Sequence, residues 1–116
     1  MRHRRKGRKL GRDKAQRKTL LFNLVKELLF REEIITTEAK AVETAILAEK
    51  MVTLAKENSL HSRRNVGRFI RDKKVVEKLF TMLAPRYQER RGGYTQIIKL
   101  RYRQGDNALM CKIRLV

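Results

Sequence analysis

Lysines and arginines are the side chains best placed to do chemistry in this sequence, and they are concentrated at the N-terminus. Residues 1–18 contain ten Lys or Arg and one acid, Asp13, and so carry half of the chain's net charge of +18. Residues 1–12 contain one large apolar side chain beyond the initial methionine, Leu10, and cannot bury enough surface to offset the entropy of ordering. We therefore predict a basic tail over residues 1–12 that is disordered when free and binds a polyanion.

A second concentration of cations lies in residues 61–91, where ten Lys or Arg face three acids. A helix beginning at Ser59 would place Arg64, Arg68 and Arg71 on one side, opposite its apolar residues, with Arg63 at the border. Arginines that share a face repel each other, so an anion-binding face is favoured over a merely solvated one.

The sequence has no pattern typical of catalysis or of a metal site. His3 falls in the basic tail and His61 beside arginines, and Glu32, Glu33 and Asp106 have no companion motif. The single cysteine, Cys111, excludes an internal disulfide and a multi-cysteine zinc site. We predict no enzymatic activity, no metal, no cofactor and no small-molecule substrate.

Apolar spacing predicts a first helix from about Asp13, its N-cap, to Arg31. At roughly 100° per residue, Lys14, Arg17 and Lys18 fall on the same face as the later leucines. A core cannot hold unpaired cations, so we predict that the first turns project beyond the domain towards a phosphate-rich partner. The alternative is that these side chains extend into solvent.

The remaining pattern predicts a single domain over residues 13–116. A buried strand at 32–37 precedes a helix that is capped by Thr36 or Thr37 and runs to Glu57. A third helix starts at Ser59, and a fourth runs from Asp72 to Leu83 with Pro85 just beyond it. Residues 95–103 and 108–116 alternate as a hairpin, with Ile98, Leu100 and Tyr102 inward on its first strand, Cys111 buried on its second, and a basic outer face. The expected class is α+β: a two-layer α/β domain, in the order helix, strand, three helices, two strands, with a small mixed sheet.

No stretch of about eighteen apolar residues occurs. The apolar run that begins at Leu20 is interrupted by Asn23, which argues against secretion and membrane contact and favours the cytoplasm. A transit peptide is an open alternative, because the basic tail is rich in arginine and poor in acids.

Short motifs along the whole chain resemble one family. They are Met1-Arg2-His3-Arg4, Gly7-Arg8-Lys9-Leu10, Ile35-Thr36-Thr37 followed by Lys40-Ala41, Leu54-Ala55-Lys56, Lys78-Leu79-Phe80, Ala84-Pro85-Arg86-Tyr87, Gly92-Gly93-Tyr94-Thr95 and Arg103-Gln104-Gly105-Asp106-Asn107-Ala108. In this order and at these distances they resemble the bacterial large-subunit ribosomal protein seventeen family. Two positions depart from that pattern: Leu109 stands where proline is common, and Arg114 where glutamate is usual.

The resemblance implies a structural component of the large ribosomal subunit with a two-layer α/β fold. It implies binding to 23S ribosomal RNA near the nascent-chain exit, beside neighbouring large-subunit ribosomal proteins. It also places the basic tail and the first helical turns at Arg17 and Lys18 against that RNA.

From the charge pattern and the resemblance together, we predict a set of RNA-binding residues. They are Arg2, His3, Arg4, Arg5, Lys6, Arg8, Lys9, Arg12, Lys14, Arg17, Lys18, Arg63, Arg64, Arg68, Arg71, Arg90, Arg91, Tyr94, Arg101 and Arg103. Tyr94 is included as a surface on which a base could stack, and a core contact is the equal alternative. A DNA-binding protein that uses helices 59–71 and 73–83, and an RNA-processing enzyme, are the competing functions.

Overall fold

The computed structural model of the chain describes residue 10 and residues 13–116. The elements are α1 (Lys14–Arg31), β1 (Glu33–Thr37), α2 (Glu38–Glu57), α3 (Leu60–Phe69), α4, β2 (Thr95–Tyr102) and β3 (Leu109–Leu115). Helix α4 has three consecutive segments: α-helical Lys73–Lys78, π-helical Leu79–Leu83 and α-helical Ala84–Arg86. The predicted α+β class and element order are confirmed. The predicted basic tail lies outside the described residues except for Leu10.

The three strands form one sheet in the order β1-β3-β2, and both pairs are antiparallel. The predicted mixed sheet is therefore wrong, because β3 runs between two strands that both point the opposite way. Helix α2 lies over the sheet and contacts α1, α3 and α4. Its fully buried Ala41, Ala48 and Ala55 allow close approach of these elements. Cys111 is buried on β3, and burial raises the pKa of its thiol, as befits a structural cysteine.

Polar side chains cap three of the helices where the sequence predicted. The Asp13 carboxylate accepts from the Gln16 N–H at 2.8 Å to begin α1. Ser59 and Ser62 form a reciprocal capping box at the start of α3, and Asp72 accepts from the Lys74 N–H at 3.0 Å at the start of α4. Each cap satisfies a backbone donor that has no partner inside the helix. Thr37 precedes α2 without a side-chain cap.

Glu32 joins α1, β3 and α4. It adopts a left-handed conformation with φ of 68°, and its N–H donates to the Leu28 carbonyl at 2.7 Å. Its own carbonyl accepts from the Leu115 N–H at 2.9 Å. Its carboxylate pairs with Lys78 at 3.1 Å and also with Arg86. The hydrogen bond from Arg86 is the largest influence that lowers the pKa of Glu32.

Strand β1 is less buried than the sequence indicated. It occupies an edge of the sheet, and Ile35 is 60% exposed. Ile34 lies opposite the buried Ile113 of β3, so adjacent isoleucines point to opposite faces of the sheet. Only the face towards the helices is covered, which leaves Ile35 outside the core.

The inward face of β2 also differs from the prediction. Ile97, and not Ile98, lies opposite Ile113, and a register shift follows between Lys99 and Arg101. Such a β-bulge breaks the alternation of side chains. Because Ile97 points inward, the alternation before the bulge already turns Leu100 to the outer face, and Leu100 and Tyr102 are 45% and 66% exposed.

Helix α4 continues past the predicted end at Leu83, and Pro85 lies within its last segment. Proline lacks an N–H and would leave a carbonyl of a regular α-helix without its donor. A π-helical turn, in which the Ala84 N–H donates to the Leu79 carbonyl five residues back, comes immediately before Pro85. The proline ring would also clash with a carbonyl of a regular α-helix, and the widened turn gives it room as the helix continues to Arg86.

We expect Glu32→Gln to lower the free energy of unfolding at pH 7 by about 1 kcal/mol or less, because two half-exposed ion pairs are lost. Since the folded-state pKa of Glu32 lies below its ordinary 4.5, its contribution is present above that value and disappears as the pH falls through the folded-state pKa. Chemical denaturation of the original protein and the variant should therefore show a smaller difference in the free energy of unfolding at pH 3 than at pH 7. A difference that stays constant across this range would contradict the assignment.

The Thr44 hydroxyl is fully buried in α2 and has no hydrogen-bond partner among the described residues. A buried hydroxyl without a partner costs roughly 1–3 kcal/mol. We therefore expect Thr44→Val, which keeps the shape and removes the hydroxyl, to raise the free energy of unfolding by about 1 kcal/mol. Thr44→Ser, which keeps the hydroxyl and opens a small void, should be destabilising. Thermal denaturation of both variants measures the difference, and a less stable valine variant would refute it.

Candidate nucleic-acid interface

The first turns of α1 carry cations outside the core. Lys14 and Lys18 are exposed and Arg17 is half-buried, whereas the first buried residue of the helix is Leu21. These cations share the helix face that enters the core from Leu21 onwards. The Asp13 cap fixes where the helix begins and therefore the direction of these side chains. The predicted projection of these turns beyond the core agrees with this burial.

A groove between α1 and the α3–α4 connection collects further cations. This α1–α3 groove is lined by Lys18, Phe22, Lys26, Arg68, Phe69, Arg71 and Asp72, among others. Phe22 and Phe69 pack with ring centroids 5.1 Å apart, and Lys18 Nζ lies 5.8 Å from the Phe22 centroid. Asp72, the carboxylate of the groove, is engaged as the cap of α4. The groove therefore presents four cations around an aromatic pair.

Lys26 was absent from the predicted set although it lines this groove. The missed signal was the spacing of Lys18, Phe22 and Lys26, which repeats every four residues and marks one stripe of a helix. The stripe of Lys18, Phe22 and Lys26 lies beside the face of α1 that carries the buried leucines, so the pattern of that apolar face did not include Lys26.

Within the described part of the chain, the arginines of α3 form no ion pair with an acid. Arg64 and Arg68 are exposed one turn apart, and Arg71 lies beyond the helix, which ends at Phe69. The prediction that Arg71 extends the α3 face is therefore corrected: it lines the α1–α3 groove from the connection. Of the four ion pairs within residues 13–116, none involves Lys14, Arg17, Lys18 or these arginines. Such unpaired cations are available to phosphates.

Arg63 differs from its neighbours because its guanidinium is held in place. Its Cζ lies 5.0 Å from the centroid of the Phe80 ring. Its Nη2 and Nε donate to the Asn58 Oδ1 at 3.0 and 3.3 Å. Arg63 lines a second groove, the α3–α4 groove, together with Gly67, Ile70, Arg71, Lys73, Val76, Glu77, Phe80 and Thr81. Arg71 lines both grooves, which makes them neighbours on one basic surface.

Tyr94 does not present its ring for base stacking. The residue is 1% exposed, and its ring centroid lies 5.1 Å from that of Tyr87. Its hydroxyl accepts from Lys56 Nζ at 3.1 Å. The predicted role in RNA binding is therefore corrected to the alternative core contact, because the ring anchors the 87–94 turn to α2. The adjacent Arg90 and Arg91 are exposed.

The two predicted hairpin arginines differ in their availability. Arg103 forms an ion pair with Asp106 and lowers the pKa of that carboxyl to about 2. Asp106 also accepts from the Ala108 N–H at 3.2 Å, so the pair fixes the turn between β2 and β3. Arg101 is exposed and forms no ion pair within the described chain. Both line a cleft at the sheet, separate from the two helical grooves.

The predicted tail residues, Arg2, His3, Arg4, Arg5, Lys6, Arg8, Lys9 and Arg12, lie outside the described residues. Within the part that is described, no three His, Cys, Asp or Glu side chains come together to hold a metal ion. In the same part, no helix has the length and apolar character needed to cross a membrane.

Comparison with known proteins identifies a family. The model of the family described as Ribosomal protein L17 matches residues 20–116. The chain is 53% identical over 116 residues to the large ribosomal subunit protein bL17 of Geobacter metallireducens, covering all of this chain and 65% of that protein. The bL17 protein of Pelobacter propionicus is also 53% identical over 116 residues, with 91% of its length covered. That of Caldanaerobacter subterraneus is 53% identical over 109 residues, 94% of this chain and 97% of that protein. The chain therefore belongs to the family of ribosomal protein L17.

Proposed function

We propose that this chain is a structural component of the large ribosomal subunit in the cytoplasm, where it binds and stabilises folded 23S ribosomal RNA near the nascent-chain exit. The members of its family are structural constituents of the ribosome and not enzymes. The observation that carries the RNA-binding part is the set of unpaired cations on the first turns of α1, on α3 and on the α3–α4 connection. Neighbouring large-subunit proteins complete its surroundings.

The arrangement favours recognition of backbone and shape. The cations lie on helices that converge at the α1–α3 groove, so they present a surface with fixed spacing to a folded polyanion. Most contacts of such a surface go to phosphates, which position the protein without reading sequence. The hairpin and the turn at Arg90 and Arg91 form separate basic regions, so folded RNA that presents several backbones fits better than one straight duplex.

The basic tail directly precedes Asp13 in the sequence. We therefore expect it to contact the partner beside the first turns of α1. We propose that the tail, residues 1–12, and the domain, residues 13–116, contact the same RNA from two directions. The tail supplies charge density, and the domain supplies a preformed surface.

Binding should depend strongly on salt. If about ten phosphates are contacted, the logarithm of the association constant should fall with the logarithm of salt concentration with a slope of roughly −7 to −9. Filter binding of the full chain to 23S ribosomal RNA between 50 and 200 mM salt would measure this slope. Duplex DNA of equal charge serves as the competitor at one salt concentration. A nearly salt-independent affinity, or preference for the duplex, would overturn the proposal.

Charge reversal on α1 should weaken binding without unfolding the domain. We expect Lys18→Glu to lower affinity for the RNA and to reduce the salt slope by about 1. The matched control is Lys50→Glu, which makes the same charge change at an exposed position of α2 and should have a smaller effect. Both variants should keep the free energy of unfolding within about 0.5 kcal/mol of the original. Equal losses of affinity at the two positions would show that only net charge matters.

A further inference from the structure

The α3–α4 groove contains a planar cation fixed in one orientation. The Arg63 Cζ lies over the Phe80 ring, 5.0 Å from its centroid, and the Asn58 Oδ1 at the end of α2 accepts hydrogen bonds from two of the guanidinium nitrogens. An exposed arginine usually keeps its rotamer freedom and loses it on binding. Here the contacts with Phe80 and Asn58 already restrict the side chain, and Arg63 is nevertheless an exposed residue.

The rest of the groove suits a ligand with a flat apolar part and a negative charge. Its apolar surface comes from Ile70, Val76 and Phe80, and its cations beyond Arg63 are Arg71 and Lys73. Glu77 is the one acid that lines it. Unpaired nucleobases stack on guanidinium planes, and the phosphates beside them bind cations. A nucleotide therefore matches both the shape and the charge.

Gly67 supplies a second, independent observation. It lies within α3, where glycine weakens a helix relative to alanine. A Cβ at this position would meet nothing within 4 Å, so the packing of the described chain does not require a glycine here. The missing side chain instead leaves the wall of the groove open opposite α4.

We propose that an unpaired base of the bound RNA stacks on Arg63 in the α3–α4 groove, with its neighbouring phosphates on Arg71 and Lys73. The inference rests on the proposed function for the identity of the partner. An acidic protein segment is the competing occupant: it would match the basic rim but would gain nothing from a planar guanidinium that is fixed in place.

The test compares two RNA probes of equal charge, eight linked adenosines and eight linked abasic ribose units. Stacking contributes about 1–3 kcal/mol per base, so the full chain should bind the adenosine probe roughly 5- to 150-fold more tightly. Arg63→Lys keeps the charge and removes the plane, so most of this difference should disappear while affinity for the abasic probe is unchanged. Arg31→Lys, the same change on an exposed arginine of α1, should leave the difference intact.

Two more variants separate stacking from loss of structure. Asn58→Gly removes the side chain that holds the guanidinium, and glycine suits the left-handed backbone at this position, where φ is 49°. Gly67→Leu places a large side chain in the groove. Each should reduce the preference for the adenosine probe, while thermal denaturation confirms that the domain is folded.

Equal affinity of the original chain for both probes would overturn the inference, as would an equal loss for both probes in Arg63→Lys. A third result would also overturn it: an acidic helical peptide displaces the adenosine probe, and binds Arg63→Lys as tightly as the original chain. Salt-dependent binding to 23S ribosomal RNA with no preference between the probes would leave the proposed function standing and end this inference alone. Absence of binding to all three RNAs would end both.

Discussion

The scarcity of negative charge constrains the whole structure, and Glu32 shows how one acidic residue serves several elements of the fold. The chain has 12 acidic residues for 30 lysines and arginines, so few cations can be neutralised internally. Glu32 binds Lys78 and Arg86 of α4, while its backbone ends α1 and bonds to the end of β3. Helix α1, the sheet and α4 thus meet at one residue, whose left-handed backbone is held by the hydrogen bonds of its own N–H and carbonyl.

Other acids are also committed to the scaffold. Asp13 and Asp72 cap helices, Asp106 holds the β2–β3 turn, and Glu49 accepts from the Thr95 N–H and hydroxyl at 3.4 and 3.2 Å. Within residues 13–116, the cations on the first turns of α1 and on α3 are left without acidic partners, so this surface repels itself. That repulsion is the physical reason to expect an anionic partner: binding relieves a strain that the chain cannot relieve alone.

Local chemistry made much of the architecture predictable. Asp13, Ser59 and Asp72 mark helix starts because a polar cap acts within three residues, and the helical period separated the arginines from the apolar face of α3. The faces of β2 were not predictable, since adjacent Ile97 and Ile98 fit either alternation and the bulge at Leu100 changes it midway. The contacts of Tyr94 and Arg63 depend on the tertiary fold: Lys56 and Phe80 come from distant segments, and the turn from α2 into α3 brings the nearby Asn58 against Arg63. Which residues touch RNA stays a prediction, because no sequence pattern or groove reveals a bound partner.

The sheet is open at both sides, and this has a consequence for solubility. Strands β1 and β2 each have an unpaired edge within the described chain, and such edges pair with other copies unless something prevents it. The β2 bulge and the brevity of β1 help, but the long-range protection is the repulsion between molecules that each carry +18. At 1 M salt, screening reduces the range of that repulsion to about 3 Å. The charge that we propose for RNA binding therefore also opposes aggregation of free copies through their sheet edges.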